Sequence, residues 1–460
     1  MKKLFFIYLL SSLALGCGKE FLDIKRDSNQ VVPTNIKDYL AILNRREILE
    51  NHRILSFIGT DEYYYETYSD LVARSNFTPF HRRAYTWDRE IFEVDEQLRD
   101  WNKCYENIMY ANLALDVEKL QPKPDEEMEW KRTVVAARFH RAWKFYQLAQ
   151  QFCEPYTENS SSTGLGLPLR TDYDVSVKYS RSSLKEVYDL ILDDLHKAEE
   201  IGLESELNIY LPGKLAVKAF LARVYLQIGN YERAEHYAVS VLGEKSDLVD
   251  YNGLTKTLSS YYDSQFNTLG KNNPAIIFYS FQSVDGIISE TMKMDTTFVK
   301  SFQEEDLRKK IYFFDREDGS KLYVGSYCGY GVSRMFTGLS TEEMMLIRAE
   351  CLVRRGEHQH AKDALQPLLK ARFENATVSI EIDERDDVLG WVLAERKKEL
   401  YMRGILWDDA RRLNAKGEFQ TTFKRNLDGE EYVLPPNDKR WTWPIPINEI
   451  INNNLQQNER

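Results

Sequence analysis

The apolar and polar positions of residues 215–242 alternate with the period of an α-helix on both sides of a break at Gly229 and Asn230. The apolar positions are Ala219, Leu221, Ala222, Tyr225, Leu226, Tyr231, Ala234, Tyr237, Ala238, Val241 and Leu242. Small side chains at Ala222 and Ala234 let the two segments approach closely, so the pattern predicts a pair of antiparallel helices. Two short helices cannot bury their apolar faces alone, and neighbouring helices must therefore cover them.

A second copy of this pattern lies at residues 345–369. The matched positions are Ala222, Gly229 and Ala234 in the first copy and Ala349, Gly356 and Ala361 in the second. Both copies resemble the tetratricopeptide helix-turn-helix, whose units stack into a superhelix with a continuous core. We therefore predict a mainly α fold, a tetratricopeptide-like helical-repeat superhelix. Two unrelated helical hairpins remain the alternative, because alanine and glycine are common residues.

Helical spacing recurs in several further segments, and two long stretches lack it. The further helical segments are residues 36–50, 98–120, 126–152, 183–202, 341–355, 359–373 and 388–401. Residues 52–93 carry many aromatic side chains without a helical period, which predicts a long, ordered loop. Residues 244–340 mix turn residues with short β-like runs, which predicts a mixed α/β insertion lobe. The predicted halves of the superhelix are residues 34–243, which include the aromatic loop, and residues 341–460, which include the closing tail.

The first residues have the features of an export signal. Lys2 and Lys3 precede an apolar run within residues 1–16 that is too short for a permanent membrane span, which predicts a signal peptide. Cys17 follows directly in the sequence LALGC, which resembles the lipobox at which bacterial lipoproteins are cleaved and acylated. We therefore predict lipidation of Cys17 and a lipid-anchored tether over residues 17–33. An ordinary cleaved signal peptide is the alternative.

The charge balance and the motifs limit the function classes. Asp and Glu outnumber Lys and Arg by 72 to 61, a formal net charge of −11, which argues against nucleic acid as a partner. No glycine-rich phosphate loop, GxSxG or HExxH motif occurs, so we expect no enzyme activity, no metal and no cofactor. The cysteines after Cys17 lack paired or metal-ligand spacing, which favours buried free thiols over disulfides. They are Cys104, Cys153, Cys328 and Cys351.

Carboxylates and basic side chains are dense within residues 395–412. Paired carboxylates are what glycoside hydrolysis requires, which makes Glu395 and Glu399 candidates for an acid/base pair. The two lie one helical turn apart among basic residues, however, and this favours a network of salt bridges within and between helices.

Nine motifs in a fixed order extend over nearly the whole chain. They are FLD (21–23), WNKCYENIMYAN (101–112), AARFHRAWKFYQLAQQF (136–152), GLPL (166–169), LARVYLQIGNYERAEHYA (221–238), EEDLR (304–308), LIRAECLVRRG (346–356), AERKKELYMRGILWDDARRL (394–413) and WPIPINEI (443–450). With these motifs the chain resembles the SusD/RagB-like family, the surface lipoproteins with which Bacteroidota capture nutrients beside a TonB-dependent transporter. The order and spacing of the motifs together, rather than any single one, carry the resemblance.

The resemblance implies a function and a location as well as a SusD-like fold. It implies a nutrient-binding lipoprotein that captures an oligosaccharide and passes it to a partner TonB-dependent outer-membrane transporter. It also implies a lipid-anchored protein at the outer membrane that faces the cell surface. A peptide-capturing lipoprotein of the same architecture is the alternative within binding proteins, and a surface glycoside hydrolase is the alternative from another class.

Residues 60–87 and 261–330 are the expected ligand surface, because loops on a rigid scaffold supply binding contacts and both stretches are rich in aromatic residues. The resemblance places the family's ligand surface in the same two regions. From their chemistry we choose as ligand-binding residues Asp61, Tyr63, Tyr65, Trp87, Tyr262 and Tyr327. Trp87 is the expected stacking face for a sugar, and Asp61 the acceptor for its hydroxyl groups. Tyr64 is left out, since in an extended segment it points opposite to its neighbours and toward the core.

Overall fold

The computed structural model describes residues 33–73, 77–204, 208–254, 257–260, 262–266, 269, 272–284, 291–329, 333–378 and 385–460. The predicted signal peptide, Cys17 and nearly all of the predicted tether lie outside the described residues. Within these ranges, no helix combines the length and the apolar character that a membrane crossing requires.

The described chain is mainly helical, with short strands between the helices. The α-helices are α1 (Ile36–Leu43), α2 (Ile54–Ile58), α3 (Tyr68–Val72), α4 (Pro79–Tyr85), α5 (Arg99–Leu115), α6 (Glu127–Phe152), α7 (Glu158–Thr163), α8 (Leu184–Glu200), α9 (Lys214–Gln227), α10 (Tyr231–Glu244), α11 (Thr296–Lys300), α12 (Arg308–Ile311), α13 (Thr341–Arg354), α14 (His358–Lys370), α15 (Arg385–Glu399), α16 (Leu406–Lys416) and α17 (Ile447–Asn453). The strands are β1 (Tyr63–Tyr64), β2 (Leu165–Pro168), β3 (Arg181–Ser183), β4 (Ile276–Phe278), β5 (Phe281–Ser283), β6 (Lys293–Met294), β7 (Phe313–Asp315), β8 (Lys321–Tyr323), β9 (Arg334–Phe336), β10 (Leu339–Ser340), β11 (Phe423–Leu427) and β12 (Glu430–Leu434). The predicted mainly α class is confirmed.

The two predicted repeats are present and stack on each other. The first is the hairpin of α9 and α10, the second is the hairpin of α13 and α14, and α10 packs directly against α13. Their small residues Ala222, Ala234, Ala349 and Ala361 are completely buried. The hairpins therefore share one packing environment, and the alternative of two unrelated hairpins is excluded.

Gly229 and Gly356 end the first helix of each hairpin in the same way. Both have a positive φ, +79° and +87°, a backbone region that glycine adopts without a steric penalty. In each hairpin the amide that follows the glycine donates to the carbonyl oxygen five residues earlier at 2.9 Å. The matched glycine spacing in the sequence thus has a conformational cause, a helix end closed by backbone hydrogen bonds.

Further helices extend the array toward the N-terminus. Helix α5 packs against α6, α6 against α8, and α8 against α9. Residues 52–93, predicted as a loop, contain β1 and three short helices, and Phe57, Tyr63, Phe80 and Tyr85 from these elements lie in the main hydrophobic core. The prediction missed these helices because segments of five to seven residues are too short to show a helical period.

Short antiparallel strand pairs shape residues 244–340. The pairs are β4 with β10, β5 with β9, and β7 with β8. Strand β6 pairs instead with β1, so that Tyr63 lies opposite Met294 and Tyr64 lies opposite Lys293. This pairing brings the aromatic segment before α5 into direct contact with the insertion.

Buried ion pairs hold the C-terminal helices together. Arg372 contacts Glu342 at 3.2 Å and Glu399 at 2.8 Å, and Arg308 contacts Glu395 at 2.6 Å. All five side chains are buried. Glu395 and Glu399 are therefore partners in structural salt bridges, which confirms the predicted network over an acid/base pair. The four described cysteines are buried free thiols, as predicted.

Glu350 in α13 belongs to a second group of buried ion pairs. Arg412 makes two hydrogen bonds of 2.7 Å to its carboxylate, and Arg354 makes one of 2.9 Å. Burial alone raises the pKa of Glu350, but the two guanidinium charges outweigh burial and lower this pKa from 4.5 to about 2. A carboxylate with a lowered pKa stabilises the fold above its unfolded pKa, and this stabilisation is lost as the pH falls through the folded pKa.

Glu350→Gln is therefore expected to remove part of the acid sensitivity of the fold. Between about pH 4.5 and pH 2 the wild type should lose on the order of 3 kcal/mol more of its free energy of unfolding than the variant. Urea denaturation over a pH series measures this difference, with the exposed Glu90→Gln as the matched control. Parallel pH profiles for the wild type and Glu350→Gln would contradict the assignment.

Candidate ligand-binding site

Four of the six predicted ligand-binding residues are core residues. Tyr63, Tyr65, Trp87 and Tyr327 are each at most 2% exposed. The Nε1 of Trp87 donates to the carbonyl oxygen of Gly59 at 2.9 Å. This burial corrects the expectation that these four rings offer faces to a ligand.

The ring faces of Trp87 are occupied by side chains from β11. The guanidinium of Arg425 lies 4.6 Å from the centre of the Trp87 ring and 3.7 Å from that of Tyr85, and Phe423 stacks nearby at 6.5 Å. The sequence did not indicate this packing, because β11 follows Trp87 by more than three hundred residues. Trp87 therefore packs in the core between the segment before α5 and strand β11.

The Tyr327 ring, in the insertion, is likewise enclosed by other side chains. Its hydroxyl donates to the carboxylate of Glu342, and the guanidinium of Arg403 lies 4.4 Å from its ring centre. Burial holds the pKa of Tyr327 well above its ordinary value. The ring thus belongs to the buried polar network rather than to a ligand surface.

Tyr64, which the sequence analysis directed toward the core, is instead half-buried at the surface. The alternation along β1 is as predicted, but the buried face is that of Tyr63 and Tyr65. Alternation shows only that neighbours point in opposite directions, and the direction of the core depends on the partner strand β6. The prediction for Tyr64 was therefore wrong.

Asp61 and Tyr63 border a shallow depression of about 430 Å³ beside β1 and β11. Its described lining is Asp61, Tyr63, Tyr64, Glu66, Asp295, Thr422, Lys424, Arg425 and Asn426. Burial raises the pKa of Asp61, whose carboxylate lies 4.0 Å from the Nζ of Lys397. Tyr262 is 62% exposed and does not line this depression. The structure therefore does not bring the six predicted residues together on one surface.

A larger cleft of about 830 Å³, here called the Tyr279 cleft, lies on another part of the molecule. Its described lining is Leu43, Asn44, Arg45, Arg46, Ile48, Leu49, Asn208, Tyr210, Leu211, Tyr279, Phe281, Cys328, Gly329 and Arg334. These residues come from four segments that are far apart in the sequence. Backbone and hydroxyl hydrogen bonds bring the segments together.

One wall of the Tyr279 cleft is the turn before α2, which is fastened to β5. The amide of Asn51 donates to the carbonyl oxygen of Phe281 at 2.7 Å, and the hydroxyl of Ser280 donates to the carbonyl oxygen of Leu49 at 2.6 Å. These bonds place the preceding residues Arg45 and Arg46 at the edge of the cleft.

A second part of the lining is aromatic. The amide of Tyr279 donates to the carbonyl oxygen of Ile209 at 2.7 Å, which positions the adjacent Tyr210. The Tyr210 and Tyr279 rings meet edge to face at 5.1 Å, and Tyr210 remains 36% exposed. The Tyr279 hydroxyl donates to the Sγ of Cys328 at 3.3 Å, and burial raises the pKa of this tyrosine, so the phenol is neutral. The pair forms a partly exposed aromatic wall of the kind that covers apolar surface of a ligand.

The six residues chosen from the sequence include neither Tyr279 nor Tyr210, and they include neither Arg45 nor Arg46. The sequence did hold one signal for Tyr210. It lies just before Pro212 and Gly213, which indicate a turn, and turns lie on the surface. Nothing local linked this turn to residues near the N-terminus.

As for metals, the described ranges contain no group of three or more His, Cys, Asp or Glu side chains arranged to hold an ion.

Comparison with known proteins agrees with the fold. Residues 20–226 match a family profile described as starch-binding and associating with the outer membrane, and residues 341–460 match the profile of the SusD family. SusD-like protein P2 of Formosa agariphila is 29% identical over 427 residues, which cover 78% of this chain and 79% of that protein. SusD-like protein P38 of the same bacterium is 20% identical over 435 residues, 80% of each chain.

Solved structures share the whole architecture. A SusD superfamily protein from Bacteroides thetaiotaomicron has a TM-score of 0.71 at 21% identity and covers 93% of this chain and 100% of its own. A SusD-like carbohydrate binding protein from Bacteroides vulgatus has a TM-score of 0.67 at 17% identity and covers 92% of this chain and 97% of its own. The fold thus defines a helical-repeat protein of the SusD type. The chain belongs to the SusD/RagB family.

Trp87→Ala should act on stability because the ring is a core residue. We expect a loss of about 3–5 kcal/mol in the free energy of unfolding, the range for removing a buried aromatic side chain. Urea denaturation measures it, and Tyr64→Ala, on the exposed face of the same segment, should cost clearly less. An unchanged free energy of unfolding for Trp87→Ala would show that the ring is not packed as described.

Proposed function

We propose that the protein is a cell-surface nutrient-binding lipoprotein that captures an oligosaccharide and delivers it to a partner TonB-dependent outer-membrane transporter. Membership in the SusD/RagB family supports a carbohydrate-binding surface protein. The observation that carries the proposal is the aromatic wall of Tyr210 and Tyr279 in a cleft that also presents amide and guanidinium groups. We assign the ligand to this Tyr279 cleft.

The chemistry of the cleft suits a sugar. Its volume of about 830 Å³ lies within the roughly 300–1,000 Å³ typical of ligand pockets. Aromatic rings cover the apolar C–H faces of a sugar, while polar groups at the rim take its hydroxyl groups. Asn208 and Asn44 supply amide groups at the rim.

Binding without cleavage fits the cleft better than hydrolysis. A glycoside hydrolase needs two carboxyl groups flanking the bond to be cleaved. The described lining of the Tyr279 cleft contains no Asp or Glu, and the paired Glu395 and Glu399 are committed to buried arginines. A peptide-capturing role remains the alternative, and parallel screens of an oligosaccharide array and a peptide library separate the two ligand classes.

Tyr279→Ala and Tyr210→Ala should weaken binding of the oligosaccharide that the array identifies. Losing one stacking face is expected to cost on the order of 1–3 kcal/mol, about tenfold to a hundredfold in Kd. Calorimetry measures the change, with thermal melting as the folding control. Tyr262→Ala is the matched variant of an exposed tyrosine outside the cleft. A loss of affinity in Tyr262→Ala alone would move the site to the surface chosen from the sequence.

The lipid anchor is a further part of the proposal, and it rests on the sequence LALGC and the family's association with the outer membrane. Cys17→Ala should move the protein from the membrane fraction to the soluble fraction, because the acyl chains provide the attachment. Fractionation of cells that lack the transporter measures this, and Ser28→Ala in the predicted tether serves as the control. Membrane association of Cys17→Ala in those cells would disprove the anchor.

A further inference from the structure

We infer that the oligosaccharide bound in the Tyr279 cleft carries negatively charged groups, carboxylates or sulfate esters. The inference rests on the proposed function and adds the chemical class of its ligand. The observation behind it is the charge of the described lining, which contains three arginines and no carboxylate. Glu47, the acidic residue next to Arg46 in the sequence, does not line the cleft.

This local charge is opposite to that of the chain as a whole. Acidic residues outnumber basic ones by 72 to 61 in the whole chain, whereas every charged side chain in the described lining of the cleft is an arginine. At physiological ionic strength the Debye length is about 8 Å, and the arginines at the site therefore outweigh the distant negative charges for a bound anion. The cleft is thus a local cationic site on an acidic protein.

Arg45 and Arg46 have contacts unlike those of the buried arginines. The guanidinium of Arg45 lies 4.4 Å from the centre of the Tyr110 ring, and that of Arg46 lies 5.6 Å from the centre of the Phe281 ring. Within the described residues, neither forms an ion pair with a carboxylate, whereas the buried Arg308 and Arg372 each do. The charges of Arg45 and Arg46 are therefore not neutralised by the described fold.

A third arginine reaches the same ring from the insertion. Arg334 begins β9 opposite Ser283 of β5, and its guanidinium lies 5.4 Å from the centre of the Phe281 ring. Arg46 and Arg334 thus flank one buried aromatic side chain although they come from segments far apart in the sequence. Arg46 is exposed to solvent, and the contact of its guanidinium with the ring reduces the freedom that binding would otherwise remove.

Carboxylates and sulfate esters are the anions that this arrangement fits. A guanidinium presents N–H donors in a planar fork that matches two oxygens of such a group, and these charge-assisted hydrogen bonds are roughly twice as strong as neutral ones. The Tyr210 and Tyr279 rings meanwhile cover the apolar face of a sugar ring beside the charged group. An acidic oligosaccharide has charged groups for the arginines and an apolar face for the aromatic rings. A neutral oligosaccharide has only the apolar face.

Calorimetry with the detergent-solubilised full-length protein tests the inference through two matched pairs of probes. The first pair is tetragalacturonate and its carboxyl-reduced neutral counterpart, and the second is sulfated dextran oligosaccharide and unsulfated dextran oligosaccharide. We expect at least one anionic probe to bind at least tenfold more tightly than its neutral counterpart. The pair that shows this difference identifies the carboxylate or the sulfate as the charged group. The affinity for the anionic probe should fall as salt rises, because Arg45 and Arg46 are exposed to solvent.

The double variant Arg45→Gln and Arg46→Gln should weaken binding of the anionic probe at least tenfold and leave the thermal melting temperature unchanged. Arg89→Gln is the control, because Arg89 is an exposed arginine outside the cleft. Equal loss of affinity in the control and the double variant would overturn the assignment to this cleft, since it would indicate a general charge effect.

The outcomes separate this inference from the proposed function. Neutral oligosaccharides that bind in a Tyr279-dependent way, with anionic counterparts that bind no better, would overturn the inference and leave oligosaccharide capture intact. Failure of every charged and neutral saccharide on the array to bind would overturn both. Anionic peptides that bind where anionic saccharides do not would likewise overturn the inference in favour of a peptide-capturing protein.

Discussion

The pairing of buried charges is the constraint on which the C-terminal half of the structure depends. Arg372 follows α14 and reaches Glu342 in α13, Glu399 in α15 and the carbonyl oxygen of Val249, the last at 2.6 Å. A buried charge without its partner costs about 3–5 kcal/mol, so a displaced register of these helices is strongly disfavoured. The network therefore holds the second repeat against the first residues of the insertion.

Hydrogen bonds between buried polar groups also position the residues of the candidate site. The side-chain oxygen of Asn51 accepts a hydrogen bond from the Nε1 of Trp143 at 2.8 Å and lies 2.6 Å from the hydroxyl oxygen of Ser280. Asn51 thereby joins α6 of the helical array to the residue that precedes β5. The turn before Asn51 then lies beside Phe281, and the arginines of that turn reach the Tyr279 cleft. The position of the site is thus a consequence of the core, as a rigid scaffold requires.

The difference between the site predicted from the sequence and the Tyr279 cleft has a physical origin in the aromatic residues of the segment before α5. An aromatic side chain in a segment without periodicity has the same local sequence whether it packs in the core or binds a ligand. Its environment is decided by distant residues, as Arg425 of β11 decides that of Trp87. The same holds for β1, where the pairing with β6 selects which of Tyr63 and Tyr64 faces the core.

The sequence by itself determined the helical pairs and their glycine-terminated ends, because these depend on spacing within one or two helical turns. It also indicated the ionic role of residues 395–412, although the buried partners Arg308 and Arg372 come from other segments of the chain. The family resemblance was likewise carried by motifs that are read along the chain. Only the tertiary structure decided which aromatic residues are exposed and which side chains share a cleft. Arg46, Tyr210, Tyr279 and Arg334 meet through hydrogen bonds and strand pairs between segments far apart in the chain. Local patterns specify the elements of this protein, whereas solvent exposure depends on every contact that a side chain makes in the folded molecule.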